Sequence, residues 1–185
     1  MKTTKKKIFI IAGEVSGDVL GAKIMQEMHD VDFVGIGGQH MQECGLKSLF
    51  PMSDLAVMGL VEVVARAGTL TARIKQTVNA VVSEKPDVVL TIDSPGFAKA
   101  VISKVRKLGT LKHTKFYHVV APQVWAWRPK RAKKYAKIFD KLYAFFDFEV
   151  PYFTRYGLDT VAVGLPISDG LYKYKPDNAK EKIII

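Results

Sequence analysis

Asp93 is the residue of this sequence whose type and position best suit acid–base chemistry. It directly follows the apolar run VVLTI and precedes Ser94, Pro95 and Gly96. A carboxylate between a buried strand and a helix can accept a proton from a bound hydroxyl group, which is what a general base does. The same position also suits a residue that caps the helix beginning near Pro95. Position alone leaves both interpretations open.

A second polar loop, GEVSGD, runs from Gly13 to Asp18 and joins the first apolar run to a helix. Ser16 or Asp18 could cap this helix, whose free N–H groups would attract an anion, and Gly17 would let the backbone approach a ligand. A capped turn without any ligand explains the same pattern. The loop has neither the G-x-G-x-x-G nor the G-K-[ST] pattern, so we expect no dinucleotide or P-loop site there.

Tryptophan and arginine are concentrated in a third loop, PQVWAWRPKR, which contains Trp125, Trp127 and Arg128. Such side chains commonly wall a ligand cavity or fix a domain junction. From Arg128 to Lys141 seven residues are basic and one is acidic. This run is either a solvated helix face or a surface that attracts phosphate and lipid headgroups.

The segment LAVMGLVEVV, from Leu55 to Val64, has Glu62 as its single charged or polar side chain. A helix of this composition is apolar almost all round, so it is either deeply buried or in contact with a lipid surface. The second interpretation predicts a membrane-facing set made of Leu55, Val57, Met58, Leu60, Val61, Val63 and Val64.

The chain as a whole is strongly basic, with 28 Lys and Arg against 18 Asp and Glu and a formal net charge of +10. This charge favours a polyanionic partner, such as a phosphorylated lipid, an anionic membrane or nucleic acid. No apolar run approaches the roughly 18 residues of a membrane-spanning helix, so we expect a soluble or peripheral protein. The four histidines are scattered and Cys44 is the single cysteine, so we predict no disulfide, metal site or cofactor.

Alternating strand-like and helix-like segments position these loops. Runs rich in β-branched and aromatic residues predict strands at Lys7–Ala12, Asp32–Ile36, Asp87–Ile92, Lys115–Val120, Lys141–Phe146 and Thr160–Val163. Apolar residues at spacings of three and four predict helices at Val19–His29, Leu70–Ser83, Gly96–Leu108 and Arg128–Phe139. Strands such as VVLTI are apolar on both faces, so we predict an α/β fold with a doubly wound parallel sheet and a ligand site at its carboxyl edge.

Residues 1–170 are predicted to form one such domain, and residues 171–185 a linker and the start of a second. The stretch around Pro176 is polar and turn-like, and the chain ends in three isoleucines. An exposed apolar β-former is a poor terminus, because it invites pairing with other chains. We therefore expect these isoleucines to begin the first strand of a missing second domain.

Four motifs, AGEVSGD, LAVMGLVEV, IDSPGF and PQVWAWR, resemble those of the lipid A disaccharide synthase family in order and spacing, over residues 7–169. The resemblance implies the Rossmann-like amino-terminal domain of a two-domain GT-B glycosyltransferase that is inverting and metal-independent. It also implies transfer of 2,3-diacylglucosamine from UDP to the 6-hydroxyl of 2,3-diacylglucosamine 1-phosphate. UDP-2,3-diacylglucosamine is then a substrate, with no cofactor.

The resemblance also assigns roles to the motif residues. It makes Asp93 the candidate general base and Glu14 a second carboxylate in the cleft, and it gives the Ser16–Asp18 turn, Trp125, Trp127 and Arg128 to the acceptor site. LAVMGLVEV becomes a membrane-facing element. The implied location is the cytoplasmic face of the inner membrane of a Gram-negative bacterium, as a peripheral protein and possible homodimer. The missing second domain would hold UDP, so the isolated chain is expected to be inactive.

Two other functions compete with this interpretation. The first is a lipid-binding fragment without catalytic activity. The second is a basic nucleic-acid-binding module built on Lys130–Lys137, which is less favoured because basic residues alone supply only sequence-independent attraction.

Overall fold

The protein is built on one parallel β-sheet, as seen in a computed structural model that describes residues 5–55, 67–125 and 130–165. Six strands pair in the order β2-β1-β3-β4-β5-β6, and every pairing is parallel. Their bounds are β1 Lys6–Ala12, β2 Val31–Ile36, β3 Val88–Ile92, β4 Lys115–Val119, β5 Lys141–Ala144 and β6 Asp159–Ala162. All six predicted strands are confirmed, with ends that differ from the prediction by at most two residues.

Helices connect these strands and cover the sheet. Their bounds are α1 Val15–Glu27, α2 Gln39–Glu43, α3 Ala67–Glu84, α4 Pro95–Leu108, α5 Arg131–Ala136 and α6 Val150–Thr154, with 3-10 turns at Met52–Asp54 and Asp147–Glu149. Helix α1 begins four residues earlier than predicted, and α5 ends at Ala136 where the prediction continued to Phe139. The two five-residue helices, α2 and α6, were not predicted, because one turn and a half is too short to show a periodic apolar pattern.

The core lies on both faces of the sheet because successive strand residues point to opposite sides. Phe9 and Ile11 face a cluster that α3, α4 and α5 cover, whereas Ile8 and Ile10 face a second cluster that includes Met25 of α1. The prediction of an α/β, doubly wound parallel sheet is therefore confirmed.

The strand order reverses between β1 and β3, since the chain passes from β1 outward to β2 and then returns to β3 on the other side. In open α/β sheets, ligands bind outside the carboxyl ends of the strands at such a reversal. The loop after β1 starts at Gly13 and the loop after β3 starts at Asp93. The two loops that the sequence singled out therefore meet at the expected ligand position.

Glycines set how closely these two loops approach each other. A side chain at Gly13 would collide with Oγ of Ser94, and one at Gly17 would lie 3.3 Å from the carbonyl oxygen of Ile92. Gly13 therefore allows the β1–α1 loop to pack against the loop after β3, and Gly17, in the first turn of α1, eases the close approach of that helix to the end of β3.

Within the described ranges, no helix has the length and apolar composition needed to cross a membrane. Residues 56–66, which hold most of the predicted membrane-facing segment, lie outside the described residues, as does the predicted linker at 171–185.

Candidate active site at the carboxyl edge of the sheet

Asp93 sits on a strained stretch of backbone. Asp93 and Ser94 both have positive φ, 55° and 44°, and Val120 at the end of the neighbouring strand β4 has a φ of 75°. Residues with a side chain rarely adopt this conformation, and a β-branched residue such as valine does so least readily. Such strain persists where surrounding contacts enforce it, and it clusters at functional sites. A hydrogen bond from the Asp93 N–H to the Val119 carbonyl, 3.0 Å, ties the loop to β4.

The carboxylate of Asp93 is half-buried and has few partners. Its Oδ1 accepts a hydrogen bond from the N–H of the next residue, Ser94, at 2.8 Å. Its Oδ2 lies 3.5 Å from Oγ of Ser16, at the outer limit of a hydrogen bond. The residue that precedes α4 is Ser94, and no side chain caps that helix. The helix-capping interpretation of Asp93 is therefore wrong, and the carboxylate keeps acceptor capacity for a ligand.

Glu14 is the second carboxylate at this point. Partial burial and the nearby charge of Asp93 raise the pKa of Glu14, while a hydrogen bond with the Ser94 side chain acts in the opposite direction. The charge of Asp93 and the side chain of Ser94 both act on Glu14, so the loops after β1 and β3 are electrostatically coupled. The shared cleft that the family resemblance implies for Glu14 and Asp93 stays a prediction.

Asp18 has a different place from the one that the sequence suggested. Its side chain is only 2% exposed and accepts hydrogen bonds from the backbone N–H groups of Gly38, His40 and Met41 at 2.7, 3.0 and 3.2 Å. Nδ1 of His40 lies 3.1 Å from Oδ2. Asp18 therefore anchors the start of α2, and neither it nor Ser16 caps α1. The reason is that α1 begins at Val15, so Asp18 already lies in its first turn and turns inward.

Two pockets meet at Asp93. We call the first the apolar pocket; it has a volume of 310 Å³ and is lined by Ser16, Gly17, Val19, Leu20, Lys23, Asp93, Val120, Phe145 and Leu165. A middle pocket of 320 Å³ shares Asp93 and Val120 with the apolar pocket and is lined by Asp93, Pro95, Val120, Ala121, Pro122, Gln123, Val124 and Arg131. Asp93 therefore lines two pockets, one that is mainly apolar and one that also contains the cationic side chain of Arg131.

A third cavity continues from the middle pocket and shares Pro95, Pro122 and Arg131 with it. We call it the basic pocket; its volume is 320 Å³ and its walls are Pro95, Gly96, Lys99, Pro122, Arg131, Lys134 and Tyr135. The sequence did not single out Lys99, Val120, Tyr135 or Phe145. These residues are far apart along the chain, and only the packing of β3, β4 and their helices brings them to one place.

Trp125 is 46% exposed, and its ring packs edge-on against Phe148 with 5.5 Å between centroids. Phe146 stacks on Phe148 at 5.5 Å, and both are also exposed. We call these three rings the aromatic cluster. An exposed tryptophan, with an apolar ring and a polar N–H group, suits a membrane interface. Trp127 and Arg128 lie outside the described residues.

Leu55 is the described member of the predicted membrane-facing set. It is partly buried and packs against the core cluster on the α3 side of the sheet. Of the two interpretations of this segment, burial against the core is the one that the position of Leu55 fits, and it differs from the membrane-facing one. The remaining members, Val57, Met58, Leu60, Val61, Val63 and Val64, lie outside the described residues.

His118 is the histidine closest in sequence to the site, but it belongs to the core. It is fully buried, and burial lowers its pKa to about 3, so its ring is neutral at ordinary pH. Its Nδ1 lies 2.6 Å from Oγ1 of Thr91, and its ring stacks on Phe139. His118 is therefore a packing residue, and the described part of the chain offers Asp93 and Glu14 as proton acceptors. Among those same residues, no group of three His, Cys, Asp or Glu side chains could hold a metal ion.

Comparison with known proteins decides the family. The family model for lipid-A-disaccharide synthetase matches residues 8–185. A lipid-A-disaccharide synthase of Gluconobacter oxydans (strain 621H) is 48% identical over 86% of this chain and 39% of its own length. One of Rickettsia conorii (strain ATCC VR-613 / Malish 7) is 45% identical over 88% of this chain and 40% of its own length.

The chain belongs to the lipid-A-disaccharide synthetase family. The resemblance carried by the four sequence motifs is thereby confirmed. The chain spans about two fifths of the length of these family members.

Solved structures with the same fold include UDP-N-acetylglucosamine 2-epimerases. The enzyme of Neisseria meningitidis, bound to UDP-GlcNAc, has a TM-score of 0.57 and 12% identity over 90% of this chain and 47% of that one. The enzyme of Rickettsia bellii has a TM-score of 0.56 and 15% identity over 91% of this chain and 47% of that one. At such identities the likeness concerns the fold alone.

Proposed function

We propose that this chain is the acceptor-binding, amino-terminal part of a lipid A disaccharide synthase. In the reaction, 2,3-diacylglucosamine leaves UDP and joins the 6-hydroxyl of 2,3-diacylglucosamine 1-phosphate. The single observation that carries the proposal is Asp93, a half-buried carboxylate on a strained turn, at the reversal point of the sheet, in a chain of this family.

Asp93 acts as the general base in this proposal. Its carboxylate accepts the proton of the 6-hydroxyl while that oxygen forms a bond to the anomeric carbon of the donor sugar and the bond to UDP breaks. UDP leaves with the bonding electrons. Glu14 helps to hold the acceptor, and Ser16 keeps the Asp93 carboxylate oriented through Oγ. The second domain supplies the grip on UDP.

The surroundings of Asp93 suit an acylated sugar. The apolar pocket offers Leu20, Val120, Phe145 and Leu165 to the parts of the acyl chains nearest the sugar. Burial of each methylene against such side chains is worth about 0.8 kcal/mol. A peripheral position on an anionic inner membrane is supported by the net charge of +10 and by the aromatic cluster.

The test is transfer activity in a protein that joins this chain to the carboxyl-terminal remainder of the Rickettsia conorii relative. Release of UDP from UDP-2,3-diacylglucosamine should require 2,3-diacylglucosamine 1-phosphate as acceptor. Asp93→Asn should lower kcat by about 10²- to 10⁴-fold, the range that general bases supply.

Asp32→Asn is the matched control, because Asp32 is an exposed carboxylate on β2 that lines none of the apolar, middle and basic pockets. It should leave turnover unchanged. Near-normal turnover in Asp93→Asn would remove Asp93 from the mechanism. Binding of the acylated sugar without any turnover in the joined protein would support the lipid-binding alternative.

A further inference from the structure

The basic pocket is a cavity with cations on its walls and no carboxylate. Lys99 comes from the first turns of α4, and Arg131 and Lys134 come from α5. Within the described part of the chain, neither Lys99 nor Lys134 pairs with an acidic side chain. Like charges held near one another repel, so such a set costs stability unless an anion can bind between them.

The walls of the basic pocket are fixed in place. Tyr135 of α5 donates a hydrogen bond from its hydroxyl to the carbonyl of Pro95 at the start of α4, with an O–O distance of 2.9 Å. Tyr135 is itself buried among core residues. At Gly96 there is open space where a side chain would stand. The starts of α4 and α5 are therefore held together around this opening, and Lys99, Arg131 and Lys134 line it beside the first turn of α4, where the helix dipole adds further positive potential.

The basic pocket is joined to the candidate base. Arg131 lines both the basic pocket and the middle pocket, and Asp93 lines the middle pocket. In 2,3-diacylglucosamine 1-phosphate, the phosphate on C1 and the hydroxymethyl group on C5 are both attached next to the ring oxygen, so they lie along one edge of the sugar. A ligand whose hydroxyl and phosphate share one edge can reach two adjoining cavities, with the hydroxyl at Asp93 in the middle pocket and the phosphate at Arg131, where the basic pocket begins.

We propose that the basic pocket binds the phosphate of the acceptor, with Lys99, Arg131 and Lys134 as its ligands. The proposal rests on the proposed function, because it takes the acceptor to be a phosphorylated sugar. Arginine can bind phosphate oxygens in a two-pronged arrangement, and lysine neutralises the remaining charge. The subsite would distinguish acceptor from donor, since the donor carries UDP where the acceptor carries a single phosphate.

The test is binding of two lipids to the 185-residue chain in micelles of an uncharged detergent: 2,3-diacylglucosamine 1-phosphate and the same lipid without its phosphate. The unchanged chain should prefer the phosphorylated lipid by at least about tenfold, because hydrogen bonds between charged groups are stronger than those between neutral ones. The double variant Lys99→Ala/Lys134→Ala should lose that preference and bind the dephosphorylated lipid as before.

The matched control is the double variant Lys104→Ala/Lys133→Ala. It removes one exposed lysine from each of the same two helices and has the same net charge, but neither residue lines the basic pocket. It should keep the preference for the phosphorylated lipid. Circular dichroism of both double variants checks that the fold is retained.

Three results would overturn the proposal, and they are distinguishable. Equal binding of both lipids by the unchanged chain would remove the phosphate subsite and leave the proposed function in place. An equal loss in both double variants would show a diffuse attraction to the basic surface in place of a built subsite. Failure of the unchanged chain to bind either lipid would remove the proposed function, and the subsite with it.

Discussion

Asp18 and Asp93 are two aspartates that lie one strand apart at the same edge of the sheet and have opposite environments. Asp18 is 2% exposed, and three backbone N–H groups use its oxygens. Asp93 is half-buried, stands on left-handed backbone, and has one short hydrogen bond to Ser94. A carboxylate whose acceptor capacity is used up by backbone holds the fold, whereas one that keeps capacity beside a cavity is available to a ligand.

The backbone of the β2–α2 turn packs closely against the side chain of Asp18. A side chain at Gly38 would lie 2.6 Å from Oδ2 of Asp18, so the glycine of the β2–α2 turn lets the backbone reach the carboxylate. The glycines Gly37 and Gly38 therefore serve packing between α1 and α2. Around Asp93 the corresponding space is occupied by the apolar and middle pockets.

The largest expected effect on stability is from Asp18→Ala. The change leaves three backbone N–H groups without their acceptor, of which those of Gly38 and Met41 form buried hydrogen bonds, and each such loss costs about 1 to 3 kcal/mol. We expect the free energy of unfolding, measured by urea denaturation, to fall by about 3 kcal/mol or more. Asp18→Asn keeps one acceptor oxygen, so its free energy of unfolding should lie between those of the unchanged chain and Asp18→Ala. A loss below about 1 kcal/mol for Asp18→Ala would break the comparison, because Asp18 would then hold nothing.

Asp93→Asn should change stability far less than Asp18→Ala does. The amide keeps an acceptor oxygen for the Ser94 N–H, and asparagine tolerates positive φ better than most residues with a side chain. We expect urea denaturation to give a free energy of unfolding within about 0.5 kcal/mol of the unchanged chain, as for substitutions outside buried networks. A loss as large as that of Asp18→Ala would show that Asp93 is also a structural carboxylate.

Much of the fold was predictable because apolar runs such as VVLTI carry their own signal. The position of Asp93 followed from the end of that run and the Ser-Pro-Gly that comes next. The role of Asp18 was not predictable. The sequence pattern starts α1 at Val19, which would leave Asp18 as its cap, whereas the helix starts at Val15 and the Asp18 side chain points to the β2–α2 turn. The basic pocket was equally hidden, since Lys99 and Lys134 come together only when α4 and α5 pack on neighbouring strands.

The smallest expected effect is a change in the pKa of Glu14 when the negative charge of Asp93 is removed. The pKa of Glu14 is raised by its partial burial and by the charge of Asp93. Asp93→Asn removes the second cause and leaves the first, so the pKa of Glu14 should fall toward its ordinary value without reaching it. A carboxyl titration of Glu14 by NMR measures this change directly, and Asp32→Asn, on exposed β2, should leave it unaltered.

The sign of the effect on stability follows from the same shift. A raised pKa means that the folded chain disfavours the charged form of Glu14, so this residue opposes folding above its unfolded pKa of about 4.3 and ceases to do so below it. Asp93→Asn should therefore favour the folded state slightly more at pH 7 than at pH 3. An unchanged pKa of Glu14 in Asp93→Asn would mean that the two carboxylates do not interact. The environment of Asp93 would then differ from that of Asp18 in its hydrogen bonds alone, and not also in having an acidic neighbour.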